Sequence, residues 1–136
     1  LSIPLSIGAA VASPKANVLA VTGDGSLELN IQELKTISHN KFNIKLFVIN
    51  NGGYVSMHNW ADTFFKGRRV DNPVDTGDGT LNLKNVAKAF DMEHRLISST
   101  SNLDQILKKI NRSKKPIFVE VLTDNKQIIY DAYKDY

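Results

Sequence analysis

Residues 17–53, NVLAVTGDGSLELNIQELKTISHNKFNIKLFVINNGG, contain two apolar runs, and each run is followed by a polar segment rich in glycine. The first run covers residues 17–21 and precedes Gly23-Asp24-Gly25, here called the GDG segment. The second covers residues 44–49 and precedes Asn50-Asn51-Gly52-Gly53, here called the NNGG turn. Between them, apolar residues recur every three positions, which predicts an amphipathic helix. The order strand, helix, strand indicates a βαβ unit with two parallel strands.

The rest of the chain continues this alternation of helices and strands. We predict helices over residues 4–13, 54–65, 83–90 and 103–112, and strands over residues 94–98 and 117–122. On the helix after the NNGG turn, the side chains expected to face the core are Tyr54, Met57, Ala61 and either Phe64 or Phe65. Strands that alternate with helices of this length predict a single α/β domain over residues 1–136, with a parallel sheet covered by helices on both faces.

Composition excludes several classes of protein. The 136 residues include no cysteine, so disulfides, zinc–thiolate sites and cysteine nucleophiles are excluded. A net charge of +3, spread over 17 basic and 14 acidic residues, argues against nucleic acid as a partner. The apolar runs fall short of the about 18 residues that suggest a membrane span, and no signal peptide is visible. We therefore expect no membrane association and a cytoplasmic location. We interpret the start at Leu1 as a boundary inside a longer protein, and we expect the fold to be truncated at its N-terminus.

The two glycine-rich segments are expected to meet at one edge of the sheet. Asp24 and Asn51 each follow a strand and lie 27 positions apart, about the length of one βαβ unit. Ligands of open parallel sheets bind at the carboxyl ends of the strands. A carboxylate and an amide oxygen placed there suit Mg²⁺, and Gly53 could add its backbone carbonyl. This spacing is compatible with a diphosphate bridged by a metal ion.

The remaining residues of the GDG segment fit the same interpretation. Gly23 and Gly25 are expected to let the backbone turn tightly and approach a ligand. Ser26 is expected just ahead of the next helix, whose amino end favours an anion. However, GDG and NGG are also ordinary turn sequences, and a plain pair of turns stays open as an alternative. A second GDG at residues 77–79 follows a polar stretch instead of a strand, and we interpret it as a turn.

The GDG segment, the 24 residues from Ser26 to Ile49, and Asn50-Asn51 together resemble the thiamine-diphosphate motif of acetolactate synthases, pyruvate decarboxylases and their relatives. The sequences NIQEL and NNGGY look like the acetolactate synthase branch in particular. IPLSIGAAVA near the start and IFVEVL at residues 117–122 are also similar to that group. The resemblance covers nearly the whole chain and implies the thiamine-diphosphate-binding fold.

The resemblance implies roles for individual residues. Asp24 and Asn51 would bind Mg²⁺ by their side chains, and Gly53 by its carbonyl. Gly25 and Ser26 would contact the diphosphate of the cofactor. The full implied cofactor-binding set is Gly23, Asp24, Gly25, Ser26, Asn51, Gly53 and Tyr54.

The resemblance also implies a substrate channel at Ser56, Asn59 and Trp60. Trp60 stands where acetolactate synthases carry a Trp, and Asn59 where they often carry Gln. Ser56 departs from the pattern, because many of those synthases have Met there. The loop GRRVDNP, residues 67–73, looks closer to synthase-like proteins of unassigned substrate. An acetolactate product is therefore not implied.

At the level of function, the resemblance implies the C-terminal domain of a lyase or transferase that decarboxylates a 2-keto acid and can ligate the product to a second carbonyl. No catalytic residue is implied within residues 1–136, since relatives supply the activating glutamate from a pyrimidine-binding domain of a partner subunit. We expect the parent to be a homo-oligomer and the isolated chain to be inactive. Two alternatives stay open: a non-catalytic phosphate- or nucleotide-binding module for regulation or assembly, and a degenerate domain kept for subunit contacts.

Overall fold

The computed structural model describes residues 1–68 and 80–126, in which helices and strands alternate. The helices are α1 Ser2–Ala12, α2 Asp24–Glu28, α3 Glu33–His39, α4 Val55–Phe64, α5 Leu83–Ala89 and α6 Leu103–Arg112. The strands are β1 Val18–Gly23, β2 Ile44–Asn50, β3 Glu93–Ile97 and β4 Ile117–Leu122. Within these ranges, no helix combines the length and apolar character needed to cross a membrane. The second GDG, at residues 77–79, and most of the GRRVDNP loop lie outside the described residues.

The four strands form one parallel sheet in the order β1-β2-β4-β3. β1 and β2 are neighbours, and their register pairs Val18 with Ile44 and Gly23 with Ile49. The GDG segment and the NNGG turn therefore leave the sheet side by side at its carboxyl edge. The predicted parallel α/β architecture is confirmed.

Helices cover both faces of this sheet. One face carries the larger core, to which α1, α2, α3 and α5 contribute apolar side chains. Its strand residues include Leu46, Val48 and Phe118, all fully buried. The opposite face carries a smaller core, where Ile110 of α6 packs with Val119 and its neighbours on β4. The alternation of side chains along each strand explains how successive residues serve both cores.

The prediction of a core-facing stripe on α4 is wrong. Met57, Phe64 and Phe65 are 59%, 63% and 56% exposed, and Val55 is the buried residue of this helix. Tyr54 stands at the N-cap and is not part of the helical stripe. The spacing correctly indicated a helix, but helical periodicity shows only which residues share a face. Whether that face packs on the core depends on how the helix leaves the sheet.

Candidate functional site

Asp24 lies at the point where β1 passes directly into α2. Gly23 is both the last residue of β1 and the N-cap of the helix, so Asp24 is the first helical residue. This position places its side chain at the carboxyl edge of the sheet, where it is only 8% exposed. One carboxylate oxygen, Oδ1, accepts the backbone N–H of Gly25 at 2.9 Å.

The second carboxylate oxygen of Asp24 joins the GDG segment to the NNGG turn. Asp24 Oδ2 accepts the N–H of Gly52 at 3.0 Å and that of Gly53 at 2.7 Å. These two residues have φ values of 84° and 117°, in the left-handed region that favours glycine. Glycine at both positions therefore favours the backbone conformation in which both N–H groups point at one oxygen. The structure brings Asp24 and the turn that carries Asn51 together, as their spacing predicted.

The oxygen atoms available at this edge fit a small, hard cation. Asn51 Oδ1 is buried and accepts no hydrogen bond from the described residues, which is costly for a polar atom unless a ligand satisfies it. Asp24 uses three of its about four lone-pair positions on N–H groups. The carbonyl of Gly53 accepts the N–H of Val55 at 3.0 Å and retains a second lone pair. A carboxylate, an amide and a carbonyl oxygen are ligands that Mg²⁺ accepts.

Within residues 1–68 and 80–126, no group of three His, Asp or Glu side chains could hold a metal ion. A cation at this edge would therefore depend on amide and carbonyl oxygens in addition to the Asp24 carboxylate. The buried Asn51 oxygen is the feature that distinguishes the site from an ordinary pair of turns.

Tyr54 packs against Gly25 and explains why a glycine is needed there. A Cβ added at Gly25 would lie 2.8 Å from two atoms of the Tyr54 ring, closer than carbon atoms can pack. The Tyr54 hydroxyl also donates a hydrogen bond to the Gly25 carbonyl at 2.8 Å. At Gly23 the backbone is extended and no atom lies within 4 Å of an added Cβ. The backbone of Gly23 does not itself require glycine, and the space beside it is open.

The predicted place of Ser26 ahead of a helix is wrong. Ser26 is the third residue of α2 and is exposed, and the next helix, α3, begins only at Glu33. The reason is that β1 continues into α2 without an intervening loop. Consequently the first backbone groups beyond β1 are those of Asp24 and Gly25.

The three predicted substrate-channel residues, Ser56, Asn59 and Trp60, lie on α4, which begins right after the NNGG turn. Trp60 is 60% exposed, and its ring centroid lies 4.8 Å from that of Phe64. This places the three residues on the helix next to the candidate site. Their role in substrate selection stays a prediction.

Residues that contribute to the site but were not predicted include Asn50, Gly52 and Glu120. The Asn50 side chain accepts the N–H of Gly52 at 3.2 Å and donates to Glu120 Oε1 at 2.7 Å. Glu120 could have been found from the sequence, since it is an ionisable residue inside the apolar strand IFVEVL. Carboxylates in such positions are almost always paired.

The sequence of the chain is similar to that of known proteins. The acetolactate synthase large subunit of Porphyra purpurea is 32% identical over 124 residues, which is 90% of this chain and 21% of the relative. The acetolactate synthase isozyme 1 large subunit of Escherichia coli (strain K12) is 30% identical over 94% of the chain and 22% of the relative. Acetolactate synthase 2, chloroplastic, of Zea mays is 29% identical over 92% of the chain and 20% of the relative.

The chain thus spans about a fifth of the length of these relatives. A family model described as "Thiamine pyrophosphate enzyme, C-terminal TPP binding domain" matches residues 1–121, which include all four strands except the last residue of β4. Thiamine pyrophosphate (TPP) is the same compound as thiamine diphosphate. The chain therefore belongs to the family of C-terminal TPP-binding domains of thiamine pyrophosphate enzymes.

Proposed function

We propose that this chain binds the diphosphate of TPP, together with Mg²⁺, as the C-terminal domain of an acetolactate synthase-like enzyme acting on a 2-keto acid. The observation that carries the proposal is the hydrogen-bonded junction between Asp24 and the NNGG turn, beside the buried, unsatisfied oxygen of Asn51. Membership of the TPP-binding family supports the choice of cofactor. The oxygen donor set supports the choice of cation.

In this proposal, Asp24 and Asn51 hold Mg²⁺ by their side chains and Gly53 holds it by its carbonyl. Three N–H groups fix the Asp24 carboxylate in one orientation, so little reorganisation accompanies ion binding. The open space beside Gly23 leaves room for the diphosphate, which Gly25 and Ser26 would also contact. Bound TPP supplies the electron sink needed when a 2-keto acid loses CO₂.

Tyr54 has a supporting part in the proposed site. Its hydroxyl and ring hold Gly25 from one side, and its backbone caps the start of α4. Tyr54 thereby connects the GDG segment to the helix that bears Ser56, Asn59 and Trp60. We propose that these three residues line the approach of the substrate.

The activity of the whole protein extends beyond what residues 1–136 supply. We propose that these residues are one domain of a cytoplasmic homo-oligomer with lyase or transferase activity. We also propose that a pyrimidine-binding domain of a partner subunit provides the catalytic groups. On this view the chain by itself has no turnover, and measurable conversion of pyruvate by residues 1–136 would contradict it.

Titration of TPP tests the cofactor assignment in the natural protein that carries this chain, at its full length. We expect binding that requires Mg²⁺, because the ion would offset the negative charge of the diphosphate beside the Asp24 carboxylate. Asp24→Asn and Asn51→Ala should each lower the affinity for TPP. The loss should be at least about 10- to 100-fold, which is typical when a residue that supports a metal ligand is changed. Isothermal titration calorimetry with and without Mg²⁺ measures the effect.

Glu28→Gln is the matched control, since Glu28 is an exposed carboxylate on the same helix as Asp24. This variant should bind TPP like the wild type. Preference for ADP or ATP over TPP would favour a nucleotide-binding module instead. Absence of binding to either ligand would favour a degenerate domain kept for subunit contacts.

A further inference from the structure

Glu120 is a mostly buried carboxylate in an interior strand of the sheet. β4 lies between β2 and β3, and the Glu120 side chain is 12% exposed. Each of its oxygens has a partner on a different neighbouring strand. Oε1 accepts the amide N–H of Asn50 on β2 at 2.7 Å, and Oε2 lies 2.8 Å from Nε2 of His94 on β3. A carboxylate at this depth is stable only with such partners.

Asn50 transmits this contact to the NNGG turn. The amide nitrogen of Asn50 faces Glu120, because it donates the hydrogen bond that Oε1 accepts. The amide oxygen of Asn50 then faces the turn, where it accepts the N–H of Gly52 at 3.2 Å. The same N–H lies 3.0 Å from Asp24 Oδ2. A continuous hydrogen-bonded path therefore runs from His94 through Glu120, Asn50 and Gly52 to Asp24.

The sheet register makes this path possible. Val48 on β2 is paired with Glu120, and Asn50 is paired with Leu122. Side chains two residues apart on a strand point to the same face, so Asn50 and Glu120 are diagonal neighbours on one face of the sheet. The candidate site at the edge is thus connected to a polar pair in the interior of the sheet.

We propose that Glu120, held by His94, is a positioning residue that sets the orientation of the Asn50 amide and thereby the shape of the NNGG turn. The NNGG turn carries Asn51 and Gly53, and its N–H groups hold the Asp24 carboxylate. Glu120 does not touch the ligand and acts only through Asn50. As far as it concerns TPP and Mg²⁺, this inference rests on the proposed function.

Glu120→Gln tests the proposal because glutamine keeps the shape of the side chain but can donate as well as accept. The amide of Asn50 is then no longer held in one orientation. In the cofactor-free full-length protein, we expect faster hydrogen–deuterium exchange in the peptide that contains Gly52 and Gly53. Binding of TPP at saturating Mg²⁺ should weaken by about 10- to 100-fold. Glu28→Gln, the same substitution on an exposed helix position, should change neither quantity.

The double variant Glu120→Gln/Asn50→Asp exchanges the carboxylate and the amide while keeping the total charge. The new amide at position 120 can donate to the new carboxylate at position 50, whose other oxygen can still accept the N–H of Gly52. We expect the protection of the turn from hydrogen–deuterium exchange to return. The affinity for TPP should rise at least about tenfold above that of Glu120→Gln. A purely structural loss at position 120 would not be repaired by this exchange.

The proposal is overturned if Glu120→Gln has the same hydrogen–deuterium exchange in the turn and the same TPP affinity as the wild type. It is also overturned if the double variant recovers neither the protection of the turn nor the affinity for TPP. If Glu120→Gln does not fold, exchange is measured in His94→Leu, which removes only the partner of Oε2, and wild-type protection there also overturns the proposal. Failure of the proposed function has a different signature. In that case the wild type does not bind TPP, while exchange of the turn still increases in Glu120→Gln and returns in the double variant.

Discussion

At the scale of single residues, Gly8 and Gly25 both lie inside helices but have opposite surroundings. A Cβ at Gly8 in α1 would meet nothing within 4 Å, whereas a Cβ at Gly25 in α2 would overlap the Tyr54 ring. We expect Gly8→Ala to raise the free energy of unfolding by about 0.5–1 kcal/mol, since alanine restricts the unfolded chain and favours the helix. Gly25→Ala should lower it by about 1–3 kcal/mol because of overpacking. Urea denaturation measures both.

The pair of variants separates the effect of local space from that of helix propensity. Both substitutions are glycine to alanine within a helix, so propensity alone would move both proteins in the same direction. Equal stabilisation by Gly8→Ala and Gly25→Ala would show that the Tyr54 ring does not occupy the space beside Gly25.

Residue positions at the site were predictable from the sequence, but their hydrogen bonds were not. Asp24 and Asn51 could be assigned to one edge because each follows a strand, and adjacent parallel strands end together. The bonds from Gly52 and Gly53 to Asp24 depend on positive φ values at both glycines. Several turn types accept an NNGG sequence, so the sequence alone did not determine which oxygen the N–H groups would meet.

At the scale of secondary-structure elements, the start of α5 depends on one capping side chain. Asn82 is the N-cap residue, and its side chain accepts the N–H of Asn85 at 3.0 Å. The helix then buries Leu83 and Ala87 in the larger core. Asn82→Ala should lower the free energy of unfolding by about 1 kcal/mol, because the N–H loses its partner.

Asn82→Ser is the matched variant, since serine also accepts a hydrogen bond at an N-cap. It should stay close to the wild type in thermal or urea denaturation. Equal losses in Asn82→Ala and Asn82→Ser would indicate that the asparagine acts through another contact.

The predicted helices and strands differ from the structure mainly where a tertiary contact determines whether a segment forms a helix or strand. α2 was not predicted, because DGSLE contains a glycine and directly follows a strand. It forms because Leu27 is fully buried in the larger core, which a short window of sequence does not reveal. β3 was predicted over residues 94–98 and is observed over Glu93–Ile97, an error of one residue. Such short elements depend on their packing more than on their own propensity.

At the scale of the whole molecule, the parallel sheet was predicted from the sequence, but the order of its strands was not. β3 precedes β4 in the chain, yet β4 lies inside the sheet and β3 at its edge in the described structure. Burial gives the physical reason: Ile117, Phe118 and Val119 of β4 are almost fully buried, whereas EHRLI of β3 is mostly polar. Strands buried on both faces require apolar runs, so this contrast could have indicated the order.

The global stability of the molecule should depend on pH through Lys45. This residue of β2 is fully buried, and its ammonium donates to Asn43 Oδ1 at 2.5 Å and to the Lys115 carbonyl at 2.7 Å. Burial lowers the pKa of Lys45, and the charge of Lys114 lowers this pKa further, although Glu93 partly opposes the shift. The unfolded chain therefore binds more protons than the folded chain between the lowered pKa and the ordinary lysine value of about 10.4.

It follows that the free energy of unfolding should rise with pH across this window, as the cost of burying the charged form disappears. Lys45→Met removes the ionisable group and with it this rise. The wild type should therefore gain stability relative to Lys45→Met as the pH approaches about 10.4. Urea denaturation at several pH values from neutral upward measures the shift. Lys35→Met, at an exposed position of α3, controls for the general loss of one positive charge. Parallel pH profiles for the wild type and Lys45→Met would contradict the assignment, because they would mean that Lys45 binds its proton equally well in the folded and unfolded chains.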